Sequence, residues 1–193
     1  MKIGILALQG DFEEHQEMLV GMGVDSCLVK YAEELEDLSG LILPGGESTT
    51  MLKFMEGESL VEPVKEFYRN GGALYGTCAG AILLARSVSS PAQPSLRLLD
   101  ISIERNGYGR QIQSHVSHLA CPILGEAPLE MVFIRAPIIR EVGTEVEVLA
   151  RHQEDPVFIR QGRIMATTFH PELSTDDRVH RFFIDHLVTL AGA

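Results

Sequence analysis

Short, nearly uninterrupted apolar runs alternate with helix-period segments through the first ninety residues, and this alternation restricts the fold more than any other feature of the chain. "KIGILAL" (2–8) has the continuous apolar character of a strand covered on both faces. Asp11, with Glu14 three residues on, then resembles a capping box and opens a helix that should run to Gly21 or Gly23. "DSCLVKY" (25–31) and "LSGLILP" (38–44) read as the next two strands. "SLVEPVKEFYRNGG" (59–72) places Leu60, Val61, Val64, Phe67 and Tyr68 on one helical face and stops at Gly71 and Gly72. "ALYG" (73–76) is another strand and Ala79 to Ala85 another helix. Repeated β-α alternation predicts an α/β fold: a mainly parallel, doubly wound sheet with helices on both faces and flavodoxin-like layering. Function is then expected at the C-terminal ends of the strands.

The second half has a different texture. After the Pro/Ser-rich "SSPAQPS" (89–95), four stretches read as strands: "LRLLDISIE" (96–104), "MVFIRAPII" (131–139), "EVEVLAR" (145–151) and "PVFIRQGRIMATTF" (156–169). The last is a hairpin with Gln161-Gly162 at its tip. These additional strands, antiparallel in part, should extend the sheet or form a small second one. A helix from about Asp176 to Leu190 closes the chain, with Val179, Phe182, Phe183, Leu187 and Leu190 as its apolar stripe. Neither a repeat nor a linker divides the 193 residues, which are expected to form a single domain.

Charge and cysteine usage narrow the function. Sixteen basic residues against 27 acidic ones give a net charge of -11, the wrong sign for a protein that neutralises phosphates, so nucleic acid is an unsuited partner. "MKIGILALQGDFEEH" turns acidic too soon for a signal peptide and no run reaches membrane-spanning length, so a cytoplasmic location is expected. Cys27, Cys78 and Cys121 are odd in number and unpatterned in spacing, as reduced thiols are.

One of these thiols stands in a chemically suggestive frame. Gly76-Thr77-Cys78-Ala79-Gly80 is G-x-C-x-G, a nucleophile elbow with cysteine in place of serine, and its flanking residues are small because backbone segments crowd at such a turn. A cysteine at this strand-to-helix turn sits at a helix N-terminus, which favours thiolate, and the Ala79 N–H is aimed as an oxyanion-hole donor. A small buried residue in a glycine-rich turn is the plainer alternative. A thiol nucleophile needs a base and the base an orienting group. "MATTFHPEL" (165–173) supplies both: Pro171 biases His170 towards extended backbone, and residues i and i+2 of an extended segment project to one side, so Glu172 can accept the Nδ1 proton. In "LILPGGEST" (41–49), Gly45-Gly46 after a buried strand suits a second oxyanion donor near Gly46 and lacks the lysine of a phosphate loop. His115, His118 and Cys121 do not converge well as metal ligands, and no metal site is expected.

PGGES, GTCAG and FHPEL, in this order and spacing, resemble the class I (triad) glutamine amidotransferase domain. "LALQGDFEEH" (6–15), "RNGYGRQ" (105–111) and "FIRAP" (133–137) are similar to the glutaminase subunits of pyridoxal 5'-phosphate synthases, and the likeness runs from Ile3 to about Asp185. The resemblance implies Cys78 as nucleophile, His170 as acid/base and Glu172 as orienter. It implies that L-glutamine is held by Gly46, Glu47, Ser48, Arg105, Ile134 and Arg135, with no metal or organic cofactor. The product ammonia would pass to a synthase subunit, in a large hetero-oligomer, that makes pyridoxal 5'-phosphate from ribose 5-phosphate and glyceraldehyde 3-phosphate. A guanidinium suits a free α-carboxylate, but the residues themselves leave open whether Arg105, Arg110 or Arg135 supplies it. Gly107 departs from the bulkier residue the family commonly carries there, while Arg105, Tyr108 and Arg110 match. Three alternatives stand beside this reading: a glutaminase serving another synthase, a cysteine hydrolase of the intracellular peptidase or deglycase type, and a non-catalytic subunit on the same fold.

Overall fold

The computed structural model describes residues 1–107 and 114–189. In chain order the first half forms β1 (Ile3–Leu6), α1 (Phe12–Gly21), β2 (Ser26–Val29), β3 (Gly40–Leu43), α2 (Ser48–Gly57), α3 (Val61–Arg69), β4 (Ala73–Thr77) and α4 (Ala79–Leu84). The second half forms β5 (Ala85–Ser89), β6 (Leu99–Glu104), β7 (Ser114–Leu119), β8 (Leu129–Ile134), β9 (Ile138–Val142), β10 (Glu147–His152), β11 (Asp155–Gln161), β12 (Ile164–Thr167) and α5 (Arg178–Phe183), which runs on into a π-helical turn, Ile184–Val188.

Seven strands make the central sheet in the order β10-β11-β12-β4-β3-β1-β2. The five from β12 to β2 are parallel, and β11 and β10 continue the sheet antiparallel, as the hairpin reading requires. The continuous apolar runs are explained by burial on both faces. In β3, Leu41 and Leu43 belong to one core and Ile42 to the other; in β4, Leu74 faces the first core, and Ala73 and Tyr75 face the second. Residues of α2, α3 and α4 complete the first core, with Leu99, Ile101 and Ile103 of a small β5-β6-β9 sheet. Leu19 of α1, Val179, Phe182 and Phe183 of α5, and Met131 and Phe133 of the β7-β8 ribbon complete the second.

Several elements depart from the sequence reading. The capping box at Asp11 does not form: Asp11 is the N-cap of α1, but its side chain makes no cap hydrogen bond. Helix α2 was not legible, because the threonines of "STTM" are poor helix formers; it is nucleated by Glu47, whose carboxylate accepts from the N–H groups of Thr49 and Thr50. "MVFIRAPII" is two strands rather than one, broken where Arg135 adopts φ 42° two residues before Pro137. Tyr108, Arg110 and Leu190 lie outside the described residues.

The turn between β4 and α4 is the tightest point of the fold. A Cβ at Gly80 would lie 2.0 Å from the Leu43 carbonyl oxygen, a backbone atom that cannot swing aside, so α4 approaches β3 only because residue 80 is glycine. Gly57, at the exposed end of α2, has nothing within 4 Å of the same position. Gly80→Ala is therefore expected to destabilise the protein by about 3 kcal/mol or more, whereas Gly57→Ala should be neutral or stabilise by up to about 1 kcal/mol. Thermal or urea unfolding of the two variants checks the contrast.

Candidate active site

Four parallel strands, β1, β3, β4 and β12, end on the same side, and the segments that leave them surround a cavity of about 380 Å³. Cys78 follows β4 with φ 46° and ψ -98°, a backbone conformation that costs a non-glycine residue on the order of 1–3 kcal/mol and concentrates at functional turns. The cost is offset locally: the Cys78 N–H donates to the Thr167 carbonyl at 2.8 Å, and the Cys78 carbonyl accepts from Ile82 N at 3.2 Å. Thr167 is the register partner of Thr77, so the nucleophile candidate leaves one strand beside the point where the neighbouring strand runs on to His170. The Cys78 thiol itself makes a long contact, 3.9 Å, with the Ile134 carbonyl.

His170 and Glu172 are both buried. The expected contact is formed, His170 Nδ1 donating to Glu172 Oε1 at 2.8 Å, but by a different route: Pro171–Leu173 is a 3₁₀ turn, so the carboxylate comes round by a tight turn rather than by alternation along extended chain. A second carboxylate, unforeseen in the sequence, shares that nitrogen. Asp11 Oδ2 lies 3.3 Å from Nδ1, which is why the Asp11 side chain does not cap α1. Burial opposes a charge on the ring, yet Asp11, Cys78 and Glu172 together outweigh it and push His170 up to about 12. Nε2 has no partner in hydrogen-bonding geometry. Burial pushes the Glu172 carboxyl up, against the pull of His170. Asp11, His170 and Glu172 lie close enough to resemble a metal cluster, but both carboxylates are already engaged by the Nδ1 proton.

Every residue expected to hold glutamine lines the cavity: Gly46, Glu47, Ser48, Arg105, Ile134 and Arg135, together with Cys78 and His170. Gln9, Asp11, Ile82 and Asn106 line it too and were not singled out. Glu47 is fixed: burial pushes its carboxyl up, and the hydrogen bonds from the Thr50 hydroxyl and the Thr50 and Thr49 N–H groups together outweigh it and bring it down to about 2. Arg105 Nη2 donates to that carboxylate at 3.0 Å, so one edge of the guanidinium is committed and positioned. Exposed Arg135 sits on the strained backbone that ends β8. The Gly45-Gly46 peptide is anchored by the segment after β1: Asp11 N–H donates to the Gly45 carbonyl at 3.1 Å, and Glu47 N–H to Gln9 Oε1 at 2.8 Å. A Cβ at Gly45 would lie 2.3 Å from the His170 ring, so the loop passes directly over the imidazole. Of the remaining histidines, His115 and His118 project to opposite faces of β7, His115 stacking on Phe133 and His118 facing Glu130, which leaves them unsuited to a common metal ion.

Comparison with known proteins bears on this arrangement. The SNO glutamine amidotransferase family matches residues 5–189. A protein of Pelotomaculum thermopropionicum described as pyridoxal 5'-phosphate synthase subunit PdxT is 52% identical over 188 residues, covering 97% of this chain and 96% of that one. The protein of the same description from Kosmotoga olearia is 47% identical over 189 residues, covering 97% and 98%. A crystal structure of a glutamine amidotransferase superposes with a TM-score of 0.90 at 46% identity, covering 99% of both chains.

The shared Nδ1 proton yields a test. Asp11→Asn keeps the shape of the side chain and removes one negative charge 3.3 Å from the ring, so both proton affinities of the Cys78–His170 pair fall. The acid limb of Cys78 alkylation by iodoacetamide is expected to move to lower pH, by about one pH unit given that Asp11 is partly solvated. An unmoved limb would remove Asp11 from the electrostatics of the site.

Proposed function

The chain belongs to the SNO glutamine amidotransferase family, and from that membership we propose that it hydrolyses L-glutamine to L-glutamate and ammonia as the glutaminase subunit of a pyridoxal 5'-phosphate synthase. The observation that carries the reading is the convergence of an elbow cysteine and a carboxylate-bonded histidine on a cavity lined by all six expected glutamine contacts. Identities of 52% and 47% with relatives described as PdxT, over nearly the whole of each chain, support the synthase assignment over other amidotransferases. Residues 1–193 act as one glutaminase domain in this reading, in the cytoplasm. Among the described residues no helix is long and apolar enough to cross a membrane.

The proposed reaction uses the chain's own groups. The Cys78 thiolate attacks the side-chain amide carbon of glutamine and the C=O electron pair moves onto oxygen. The Ala79 N–H and a donor near Gly46 stabilise that oxyanion. As the tetrahedral intermediate collapses the C–N bond breaks, and His170 delivers its Nε2 proton to the departing nitrogen, releasing ammonia. The γ-glutamyl thioester remains. Neutral His170 then takes a proton from water, the hydroxide adds to the thioester carbon, and the C–S bond breaks to regenerate thiolate, imidazolium and glutamate. Arg105 is the favoured partner of the α-carboxylate, because Glu47 already holds it at the cavity wall.

Ammonia released to neutral water becomes mostly ammonium, which is not nucleophilic, so an idle glutaminase wastes its substrate. The acceptor site lies on the synthase subunit. The Gly45-Gly46 peptide offers a gate: its carbonyl is held by Asp11 N–H, and the Gly46 N–H, trans across the same peptide, points the opposite way. Displacement of the segment 9–11 by a docking partner frees the peptide to rotate, and glycine on both sides lets it do so at little steric cost.

Cys78→Ala is expected to abolish glutamine hydrolysis without unfolding the chain, as the cavity-side thiol is replaced by a smaller group. Glu172→Ala should cost less, on the order of 10⁴-fold against 10⁶-fold for the nucleophile in a serine triad, because the orienting acid transfers no proton. Steady-state ammonia release, with circular dichroism to confirm folding, distinguishes them; wild-type turnover in Cys78→Ala sinks the assignment. Turnover of the purified chain should rise roughly 10²- to 10³-fold when the synthase subunit is added, the worth of one oxyanion donor. Equal rates with and without it would remove the gate and leave the chemistry standing.

A further inference from the structure

Behind the proposed triad lies a second buried polar layer. His15 of α1 is completely buried, as is the side chain of Glu172, and its two ring nitrogens are each within reach of a partner. Nδ1 is 2.8 Å from His180 Nε2, on α5; Nε2 is 3.1 Å from Thr77 Oγ1 and 3.5 Å from Glu172 Oε1. His15 lines no part of the cavity, and nothing in the glutamine chemistry calls for it.

Hydrogen-bond accounting assigns its tautomer. His180 Nδ1 is buried without a partner; a proton there would be an N–H donor with no acceptor, so the His180 proton belongs on Nε2 and is donated to His15 Nδ1. Neutral His15 then carries its own proton on Nε2, facing Thr77 Oγ1 and the Glu172 carboxylate. The opposite tautomer would point a lone pair at that carboxylate. Both rings stay neutral: burial lowers His15 well below its ordinary value, helped by His180 and His170, and burial takes His180 to about 4 against the opposing pull of Asp177.

We propose that His15 is a positioning residue: oriented by His180, it turns an Nε2–H towards Glu172 and Thr77, supporting the carboxylate that orients His170 and the residue that precedes Cys78. The Glu172 side chain is fully buried, and the oxygen that His15 Nε2 approaches at 3.5 Å is Oε1, the same one that accepts the His170 Nδ1 proton. Around that carboxylate stand His170 and Asp11 on one side, and Tyr75 and His15 on the other. Tyr75 is itself bonded to Thr167, which leaves His15 Nε2–H as the donor nearest to Glu172 from the interior. Without that N–H the local potential at Glu172 becomes more negative, its proton binds more tightly, and the acid form of the triad persists to higher pH.

This inference rests on the glutaminase reading for its kinetic arm but not for its structural one. In the complex with the synthase subunit, His15→Leu is expected to lower kcat by about tenfold, as loss of an outer hydrogen-bond partner commonly does, with KM for glutamine unchanged. It should also move the acid limb of kcat/KM to higher pH, the direction opposite to Asp11→Asn. His15→Gln, which can return an N–H near the Nε2 position, should restore the limb. A folded His15→Leu with the wild-type pH profile overturns the proposal, since a packing role alone would reduce activity without moving the limb. Should His15→Leu fail to fold, the ¹⁵N shifts and couplings of histidine-labelled wild-type protein decide: protonated Nε2 and bare Nδ1 at His15 are expected, and a protonated Nδ1 overturns it. The tautomer is read whether or not the chain turns over glutamine, so failure here is distinct from failure of the functional assignment.

Discussion

The site depends on holding one residue, Cys78, in a backbone conformation that its side chain disfavours. With φ at 46° the chain reverses direction between β4 and α4, which turns the sulfur out into the cavity rather than into the sheet. Two interactions enforce this. Thr167 accepts the Cys78 N–H, tying the elbow to the neighbouring strand, and the bare α-carbon of Gly80 lets α4 settle against the Leu43 carbonyl. The same strand pairing sets the separation of Cys78 and His170, because Thr77 and Thr167 are register partners and His170 lies three residues beyond the second of them. A one-residue slip between β4 and β12 would move the proposed base out of range, and burial on both faces makes such a slip prohibitive. The folding energy of the sheet therefore fixes the geometry of the proposed catalytic pair.

A second constraint is the placement of charge in a poorly solvated space. Burial disfavours charge on both groups: two carboxylates and a sulfur favour the imidazolium form of His170 against it, and His170 favours the carboxylate form of Glu172. Each group is costly alone, which makes the pair behave as a unit. Glu47 and Arg105 solve the corresponding problem at the other end of the cavity. The helix cap holds the carboxylate, the carboxylate holds the guanidinium, and the remaining donors of the guanidinium are presented without a large loss of side-chain freedom at binding.

Much of this was legible because it is written in local patterns. Continuous apolar runs marked the parallel strands, G-x-C-x-G marked the elbow, and FHPEL placed the bonded pair His170 and Glu172 two residues apart. What escaped was set by distant contacts. Asp11 read as a helix cap, which is what Asp followed by Glu three residues later ordinarily means; only the approach of residue 170 from the far end of the chain turns its carboxylate elsewhere. Helix α2 was hidden because its stability comes from the Glu47 cap and from burial of Met51, Leu52 and Met55 rather than from propensity. The break at Arg135 was hidden for a related reason: the strained residue has no preference for that conformation, and the cavity edge it forms is defined by neighbours remote in sequence. His15 looked like an ordinary helical histidine because its partners, at 77, 172 and 180, lie 62 or more residues away.

Helix α1 ties these observations together. Asp11, at its start, and His15, one turn later, lie on one face, and the backbone N–H of His15 donates to the Asp11 carbonyl at 3.4 Å. Asp11 meets His170 from the cavity side, and His15 meets Glu172 from the interior, so a single helical turn contacts both members of the buried ion pair. The Asp11 N–H also holds the Gly45 carbonyl in the loop that passes over the imidazole. Between and beyond these inward contacts, Glu13 and Glu17 face solvent. A rigid element whose inner face touches His170, Glu172 and the Gly45-Gly46 loop, and whose outer face is exposed and acidic, couples a surface to the proposed reaction centre in one step. A shift of an ångström in α1 would alter the Asp11–His170, His15–Glu172 and Asp11–Gly45 distances at once, so the proposed chemistry is tied to the position of this one helix without a longer chain of intermediaries.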